Sequence, residues 1–215
     1  MKHFELSGSP NQISEHATHI YCPTLHGLNG RQADLAMVMP RLDNNRALFD
    51  TRTTEGGSYA GVLTCDPFGT ADNFLRRLAD HGYVGVSNWP SAILFQGHTK
   101  RMMASMPATP ELEYAWLAGA QRHGFQSLAF FRSLEQGRAA LSAGLQQLVL
   151  HPGLIPQTTG GPPDLLIASL RDLIEKLRHQ VGDVDILLYE HVGLNEAVQA
   201  TDVGADGAVT FIATP

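Results

Sequence analysis

A unit of strand, helix and strand is clearest in residues 124–151, which read GFQSLAFFRSLEQGRAALSAGLQQLVLH. Its two mainly apolar runs, Leu128–Phe131 and Gln147–Leu150, are too short for helices and resemble strands that are buried on both faces. Between them, Ser133 and Gln136 have the spacing of a helix capping box. The stretch therefore predicts two parallel strands joined by a helix that packs on the sheet.

The same alternation continues on both sides of this unit. The predicted strands are His3–Leu6, Thr18–Cys22, Tyr59–Thr64, Tyr83–Ser87, Leu128–Phe131, Gln147–Leu150, Val184–Tyr189 and Gly207–Ile212. The predicted helices are Gln32–Leu42, Thr70–His81, Pro110–His123, Ser133–Ala143, Pro162–Gly182 and Leu194–Ala200. This pattern predicts an α/β fold, a (β/α)8 TIM barrel, as a single domain over residues 1–215. Because such barrels typically have roughly 250 residues, we expect a short version with no closing C-terminal helix.

Composition and charge exclude several classes of partner. The formal net charge is −6 and the 15 lysines and arginines are scattered, so the basic face that nucleic acids require is missing. No apolar run approaches the roughly 20 residues of a membrane-spanning helix. Two cysteines cannot form a disulfide framework, and the N-terminus has no export signal, so we expect a cytoplasmic protein.

Polar residues directly follow several of the predicted strands. Asp66 and His151 stand out, because each comes after an apolar run and immediately before a proline that ends the strand. Asn88, Glu190 and His191 follow two further strands. The carboxyl ends of parallel strands form one rim of a barrel, where ligand sites lie. We therefore expect these residues to line a site, although polar strand ends are also ordinary in any barrel.

These residues offer a limited chemistry. The carboxylates of Asp66 and Glu190 are candidate general bases, or ligands for a divalent cation such as Mg²⁺. His151 and His191 are candidate acids, bases or ligands, and Asn88 can orient a carbonyl or a carboxylate. Because no HExxH or CxxC pattern is present, the sequence leaves metal dependence open.

A second candidate site precedes the helix that starts at Pro162. Small residues with free backbone N–H groups before a helix can form an anion-binding pocket. The residues concerned are Thr158, Thr159, Gly160 and Gly161. A flexible loop with ordinary turn residues is the alternative, and the composition does not choose between the two.

Five short segments form a pattern when they are taken in order. They are Thr64–Phe68 (TCDPF), Gly82–Pro90 (GYVGVSNWP), Glu113, His151–Leu154 (HPGL) and Thr158–Gly161 (TTGG). In order and spacing they resemble the phosphoenolpyruvate hydrolase-like family of TIM barrels, also called TIM-barrel signal transduction proteins. The resemblance implies a barrel related in architecture to phosphoenolpyruvate mutase and isocitrate lyase, with a small anionic substrate at its C-terminal rim. The site residues that it implies are Asp66, Asn88, Glu113, His151, Thr158, Thr159 and Gly160.

Two departures from the family pattern bear on activity. The family's long loop after the second strand is trimmed here to Leu25–Arg31, and its later glycine pair is replaced in Tyr189–Gly193. The resemblance still favours an enzyme, a hydrolase or lyase acting on a small carboxylate or phosphorylated carboxylate, with Asp66, His151 and Glu190 as catalytic residues. The backbone amides of residues 159–161 would hold the anion. A non-catalytic ligand-binding or signalling module on the same barrel is the alternative.

The absence of a helix after the last predicted strand also predicts an oligomer. Without that helix, one flank of the barrel would expose apolar surface unless another copy of the chain covered it. We therefore expect a homo-oligomer, with a small anionic substrate as its other partner.

Overall fold

The barrel closes through the pairing of its first and last strands. The computed structural model describes residues 1–11, 14–50, 57–66, 71–106, 108–154, 164–191 and 198–214. The strands are β1 Lys2–Ser7, β2 Thr18–Tyr21, β3 Tyr59–Gly61, β4 Gly85–Ser87, β5 Gln126–Phe131, β6 Gln147–Leu150, β7 Asp185–His191 and β8 Gly207–Ile212. Each pairs in parallel with the next, and β8 pairs in parallel with β1. The predicted TIM barrel is therefore confirmed.

Helices connect most of these strands. In the described residues they are α1 Gly30–Val38, α2 Asn44–Ala47, α3 Ala71–Asp80, α4 Gly97–Met103, α5 Pro110–Arg122, α6 Leu134–Ser142, α7 Asp164–Val181 and α8 Ala200–Val203. The sequence did not predict α2 or α4, and α4 buries none of its side chains, so it has no apolar stripe to detect. The predicted helix Leu194–Ala200 lies mostly outside the described residues. No described helix has the length and apolar character needed to cross a membrane.

The interior of the barrel is a packed core rather than a channel. Alternate strand residues point inward, and those from seven strands meet in one cluster: Phe4, Leu6, Ile20, Tyr59, Leu128, Phe130, Val149, Leu187, Tyr189, Val209 and Phe211. Residues with the opposite parity face the surrounding helices and form a second cluster with them. The side-chain period of two therefore decides, for each strand residue, whether it meets the interior or a helix.

Helix α1 closes the carboxyl end of the barrel. Its start is fixed by a capping box, in which Asn29 and Gln32 each accept a hydrogen bond from the other's backbone N–H. Ala33, Ala36 and Met37 recur at helical spacing and belong to the interior cluster, and the backbone N–H of Ser91 donates to the Met37 carbonyl at 2.9 Å. The helix predicted after the second strand therefore covers the barrel mouth instead of the outside of the sheet.

The outer face of β8, β1 and β2 is unusual because polar side chains occupy it. No helix connects β1 to β2 or follows β8 in the described residues. The outward positions include Glu5, Ser7, His19 and Thr210, all buried. Ser7 Oγ lies 2.9 Å from Nε2 of His19. The apolar flank on which the homo-oligomer prediction rested is therefore interrupted by polar groups, and the oligomer stays a prediction.

The close approach of β3 and β4 gives a test of the barrel packing. A Cβ added at Gly85 would lie 2.6 Å from Cζ of Tyr59 and closer still to two other carbons of that ring, which packs edge-on against Phe4. We expect Gly85→Ala to lower the free energy of unfolding by about 1–3 kcal/mol, because the ring must shift within a dense core.

Gly119 is the matched control, since it lies in α5 and an added Cβ would meet nothing nearer than 3.6 Å. Gly119→Ala should be neutral or stabilise the protein by roughly 0.5–1 kcal/mol. Urea unfolding followed by circular dichroism measures both effects. An equal response of the two variants would contradict the packing described for β3 and β4.

Candidate functional site

His151 is the candidate site residue that the structure defines best. It follows β6, its backbone N–H donates to the Phe131 carbonyl at 2.8 Å, and its side chain is completely buried. Its ring atom Nδ1 accepts a hydrogen bond from the backbone N–H of Gly153 at 2.9 Å. An imidazole nitrogen that accepts carries no proton, so in this arrangement the proton lies on Nε2. The backbone therefore fixes both the orientation and the tautomer of His151.

The other nitrogen of His151 faces a buried carboxylate. Nε2 lies 3.5 Å from Oδ1 of Asp34, which α1 carries over the barrel mouth. The imidazole stacks on the Tyr189 ring with 4.9 Å between centroids, and Trp89 lies beside both rings, 5.9 Å from the imidazole and 5.0 Å from the Tyr189 ring. Neither His151 Nε2 nor Trp89 Nε1 makes a hydrogen bond in the described structure. Two buried N–H groups at this end of the barrel thus have no hydrogen-bond acceptor in the described structure.

Arg132 brings a cation to the same rim. It follows β5, and its guanidinium lies against Gly153, where an added Cβ would be only 2.9 Å from Nε of the arginine. With the side-chain amide of Gln96 turned so that its oxygen faces Arg132, that oxygen accepts hydrogen bonds from the guanidinium. None of the ion pairs formed by the described residues includes Arg132. Arg132 is therefore available to an anionic ligand.

Asn88 and Glu113 form a buried network beneath the mouth. The Asn88 amide donates to Oε2 of Glu113 at 2.8 Å and accepts from the Phe130 backbone at 2.7 Å. Glu113 also accepts from Ser91 Oγ at 2.5 Å and from the Ala92 backbone at 2.7 Å. These bonds fix the loop that carries Trp89. The structure thus uses both side chains internally, and their predicted contact with substrate stays a prediction.

The two candidate metal ligands are far apart. Asp66, just beyond β3, accepts a hydrogen bond from the Asn45 amide at 3.0 Å. Glu190 lies inside β7 on the side opposite to Tyr189, and its carboxylate accepts from the Ala200 backbone at 2.6 Å, at the start of α8. Because β3 and β7 are four strands apart in a closed barrel of eight, they lie across it from each other. Glu190 is also separate from His151, because it lies on the helix side of β7 whereas the imidazole stacks on Tyr189, and we leave it out of the site.

Divalent-cation binding finds no support in the described part of the chain. No group of three or more His, Cys, Asp or Glu residues there could hold a metal ion. The residues that the structure describes do not fit Mg²⁺, and no step below depends on it.

Other predicted site residues cannot be placed. Thr158, Thr159, Gly160 and Gly161 lie outside the described residues, and so does the side chain of His191, whose backbone ends β7. The sequence did not single out Asp34 or Arg132, which the structure places near His151. Arg132 follows an apolar run as His151 does, so its position was a usable signal. No local pattern marks Asp34, because it reaches the site only through the placement of α1.

A family model supports the resemblance seen in the sequence. Residues 29–204 match the model described as phosphoenolpyruvate hydrolase-like. The tomato (Solanum lycopersicum) ToMV resistance protein Tm-1(GCR237) is 30% identical over 136 residues, which are 60% of this chain and 18% of that protein. The chain thus spans about a fifth of the tomato relative. The uncharacterized protein y4oT of Sinorhizobium fredii is 28% identical over 149 residues, 67% of this chain and 76% of that protein.

Solved structures with the same barrel are more distant in sequence. A protein of Burkholderia cenocepacia J2315, inferred to be a lyase or mutase, has a TM-score of 0.54 at 15% identity, with 97% of this chain and 75% of that chain covered. An oxaloacetate acetylhydrolase has a TM-score of 0.52 at 11% identity, with 97% and 73% covered. At these identities the likeness shows the fold alone.

The buried carboxyl of Glu113 gives a pH-dependent prediction. Burial raises the pKa of Glu113 from its ordinary 4.5 to about 7. A group with a raised folded-state pKa contributes stability that is complete below the unfolded pKa and is lost as the pH rises through the folded pKa. We expect Glu113→Gln to reduce the loss of unfolding free energy between about pH 5 and 7 by up to ~1.4 kcal/mol per pH unit.

The slope, and not the absolute stability, is the quantity to compare in urea titrations. Burial also lowers the pKa of His19 to about 4, which gives the opposite slope between about pH 4 and 6.5 in both proteins and cancels in the difference. Glu111→Gln is the control, because Glu111 is exposed on the same helix. Equal slopes for wild type and Glu113→Gln would contradict a proton on Glu113.

Proposed function

The chain belongs to the phosphoenolpyruvate hydrolase-like family, and on that premise we propose that it is an enzyme acting on a small carboxylate or phosphorylated carboxylate at the carboxyl end of its barrel. The observation that carries the proposal is the buried Nε2–H of His151, whose direction the Gly153 hydrogen bond fixes. Enzymes gain most from donors that are already oriented before the substrate binds.

Anion recognition would use two groups on neighbouring strand ends. His151 follows β6 and offers one N–H donor, while Arg132 follows β5 and offers a planar guanidinium that suits carboxylate and phosphate oxygens. A phosphorylated carboxylate carries an anion at each end, so one molecule can engage both groups. Thr158, Thr159, Gly160 and Gly161 remain candidates for a further contact with the anion, as does His191.

Hydrolysis of an enol phosphate is the reaction that this arrangement suits best. Water would supply a hydroxyl group to phosphorus as the bond between phosphorus and the enol oxygen breaks. Nε2 of His151 would give its proton to the departing enol oxygen, and the proton from water would restore the imidazole. The net products would be an enol, which becomes a ketone, and inorganic phosphate. Asp66 lies on the same rim and stays a candidate base.

A non-catalytic ligand-binding module is the second candidate. The observation that favours it is the closed mouth, because α1 covers the interior and leaves both His151 and Trp89 with no exposed surface. A module would bind the same small anions and release them unchanged. A homo-oligomer and a cytoplasmic location remain compatible with either candidate.

Turnover of phosphoenolpyruvate and oxaloacetate by purified protein tests the proposal. Release of phosphate and pyruvate from phosphoenolpyruvate, and loss of oxaloacetate, are measured for wild type, His151→Asn and Arg132→Ala. Asparagine can still accept from the Gly153 backbone but lacks the Nε2 donor, so we expect His151→Asn to lose about 10²-fold or more in kcat. Arg132→Ala should mainly raise KM, because it removes an ionic contact with substrate.

Arg138→Ala is the matched control, since Arg138 lies on the exposed side of α6 and bonds to Gln180. It should behave as wild type. Full activity of His151→Asn would show that chemistry takes place elsewhere. Thermal stabilisation by phosphoenolpyruvate or oxaloacetate without any turnover would instead favour the binding module.

A further inference from the structure

We propose that the carboxylate of Asp34 occupies the place in the barrel mouth where the carboxylate of a ligand binds, so that α1 competes internally with that ligand. This inference rests on the proposed function, since it concerns the same site. It adds the chemical group that the ligand must present, a carboxylate, and an event that must precede binding, the withdrawal of Asp34.

The two nitrogens of His151 lead to this inference. Nδ1 is engaged with the Gly153 backbone, so Nε2 is the one ring nitrogen left to contact a ligand. Oδ1 of Asp34 already lies 3.5 Å from it. In a histidine that an acidic residue orients for catalysis, the acid bonds one nitrogen and the substrate meets the other. Here the backbone has the orienting role, and Asp34 stands where a substrate would stand.

The surroundings of Asp34 resemble a binding site for a carboxylate. Its side chain is only 8% exposed, so its carboxylate has lost most of its contact with water and is surrounded by the residues of the barrel mouth. Two N–H groups, His151 Nε2 and Trp89 Nε1, are buried there without a hydrogen bond in the described structure. A free carboxylate is not held by a helix and can approach the Nε2 donor more closely than Asp34 does at 3.5 Å.

The mouth has no room for Asp34 and a ligand together. His151 and Trp89 are fully buried and Tyr189 is 1% exposed. Among the described residues, α1 covers them, and its inward residues Ala33, Ala36 and Met37 belong to the interior cluster. A ligand therefore reaches Nε2 only in molecules whose α1 has left the mouth.

Few large apolar side chains attach α1 to the barrel mouth. Two of its three inward apolar residues are alanines, which bury little surface, and Leu35 on its outward side is 54% exposed. The backbone hydrogen bond from Ser91 to Met37 joins the helix to the loop beneath it. The apparent affinity for a ligand is then the intrinsic affinity multiplied by the fraction of molecules whose mouth is open.

Calorimetric titration with malonate, a small dicarboxylate, tests the inference. We expect Asp34→Ala to bind malonate at least about tenfold more tightly than wild type, which corresponds to a wild-type mouth open in no more than about one molecule in ten. Asp34→Asn keeps the side-chain shape without the charge and should fall between the two. Leu35→Ala is the control on the outward side of the same helix and should match wild type.

A second measurement follows the helix directly. Hydrogen exchange of the α1 amides in wild-type protein should become faster at saturating malonate, because binding displaces the helix. Weaker or unchanged binding by both Asp34 variants, with thermal unfolding showing that they are folded, would overturn the inference.

A third variant separates this inference from the proposed function. His151→Asn should abolish malonate binding in the wild-type and Asp34→Ala backgrounds alike. If His151→Asn abolishes binding and Asp34→Ala does not tighten it, the ligand site stands and the internal competition is wrong. If malonate binds neither wild type nor Asp34→Ala, the proposed carboxylate site itself fails, and the inference fails with it.

Discussion

Closure of the sheet by β1 and β8 is the constraint from which the rest of the molecule follows. A closed barrel of parallel strands has no free edges, but its interior must be filled and its ends must be covered. Inward side chains from seven strands fill the interior, and α1 covers the carboxyl end with Ala33, Ala36 and Met37. Polar groups at that end then lose their contact with water, so their hydrogen bonds must come from other groups of the protein.

The polar groups beneath α1 show two ways of meeting this requirement. Asn88 and Glu113 satisfy each other and the backbone of the loop around Trp89, so that part of the mouth is rigid. His151 is satisfied on one side by Gly153 and faces Asp34 on the other at 3.5 Å. A complete network beside an incomplete one is the arrangement expected of a ligand site held by a rigid frame, because buried groups otherwise pair fully.

Local features of the fold were predictable because they depend on neighbouring residues. The strands around residues 124–151 and the helix between them follow from apolar runs and a cap, and Ser133 does accept from the Gln136 backbone. The second half of the predicted capping box did not form, since the Gln136 side chain bonds Arg132 and Ile93. Those partners come from the tertiary structure, which the local pattern does not contain.

The position of a site residue was predictable from the sequence only where the end of a strand determines that position. His151 directly follows β6, so the rim argument placed it at the mouth. For Glu190 the same argument misled, because β7 extends to His191 instead of ending at Tyr189, and Glu190 then falls on the helix side. Asp34 depends on where a whole helix packs, and no spacing in the sequence encodes that position.

The polar outer face of β8, β1 and β2 limits how this barrel can associate with other proteins. Its buried carboxylate on Glu5 and imidazole on His19 each keep one atom, Oε2 and Nδ1, without a hydrogen bond in the described structure. Both atoms are already shielded from water, so the folded chain itself bears their desolvation cost of roughly 1–3 kcal/mol each. Because the outward positions of these strands are largely polar, a stable interface at this flank would have to pair polar groups as well as bury apolar surface.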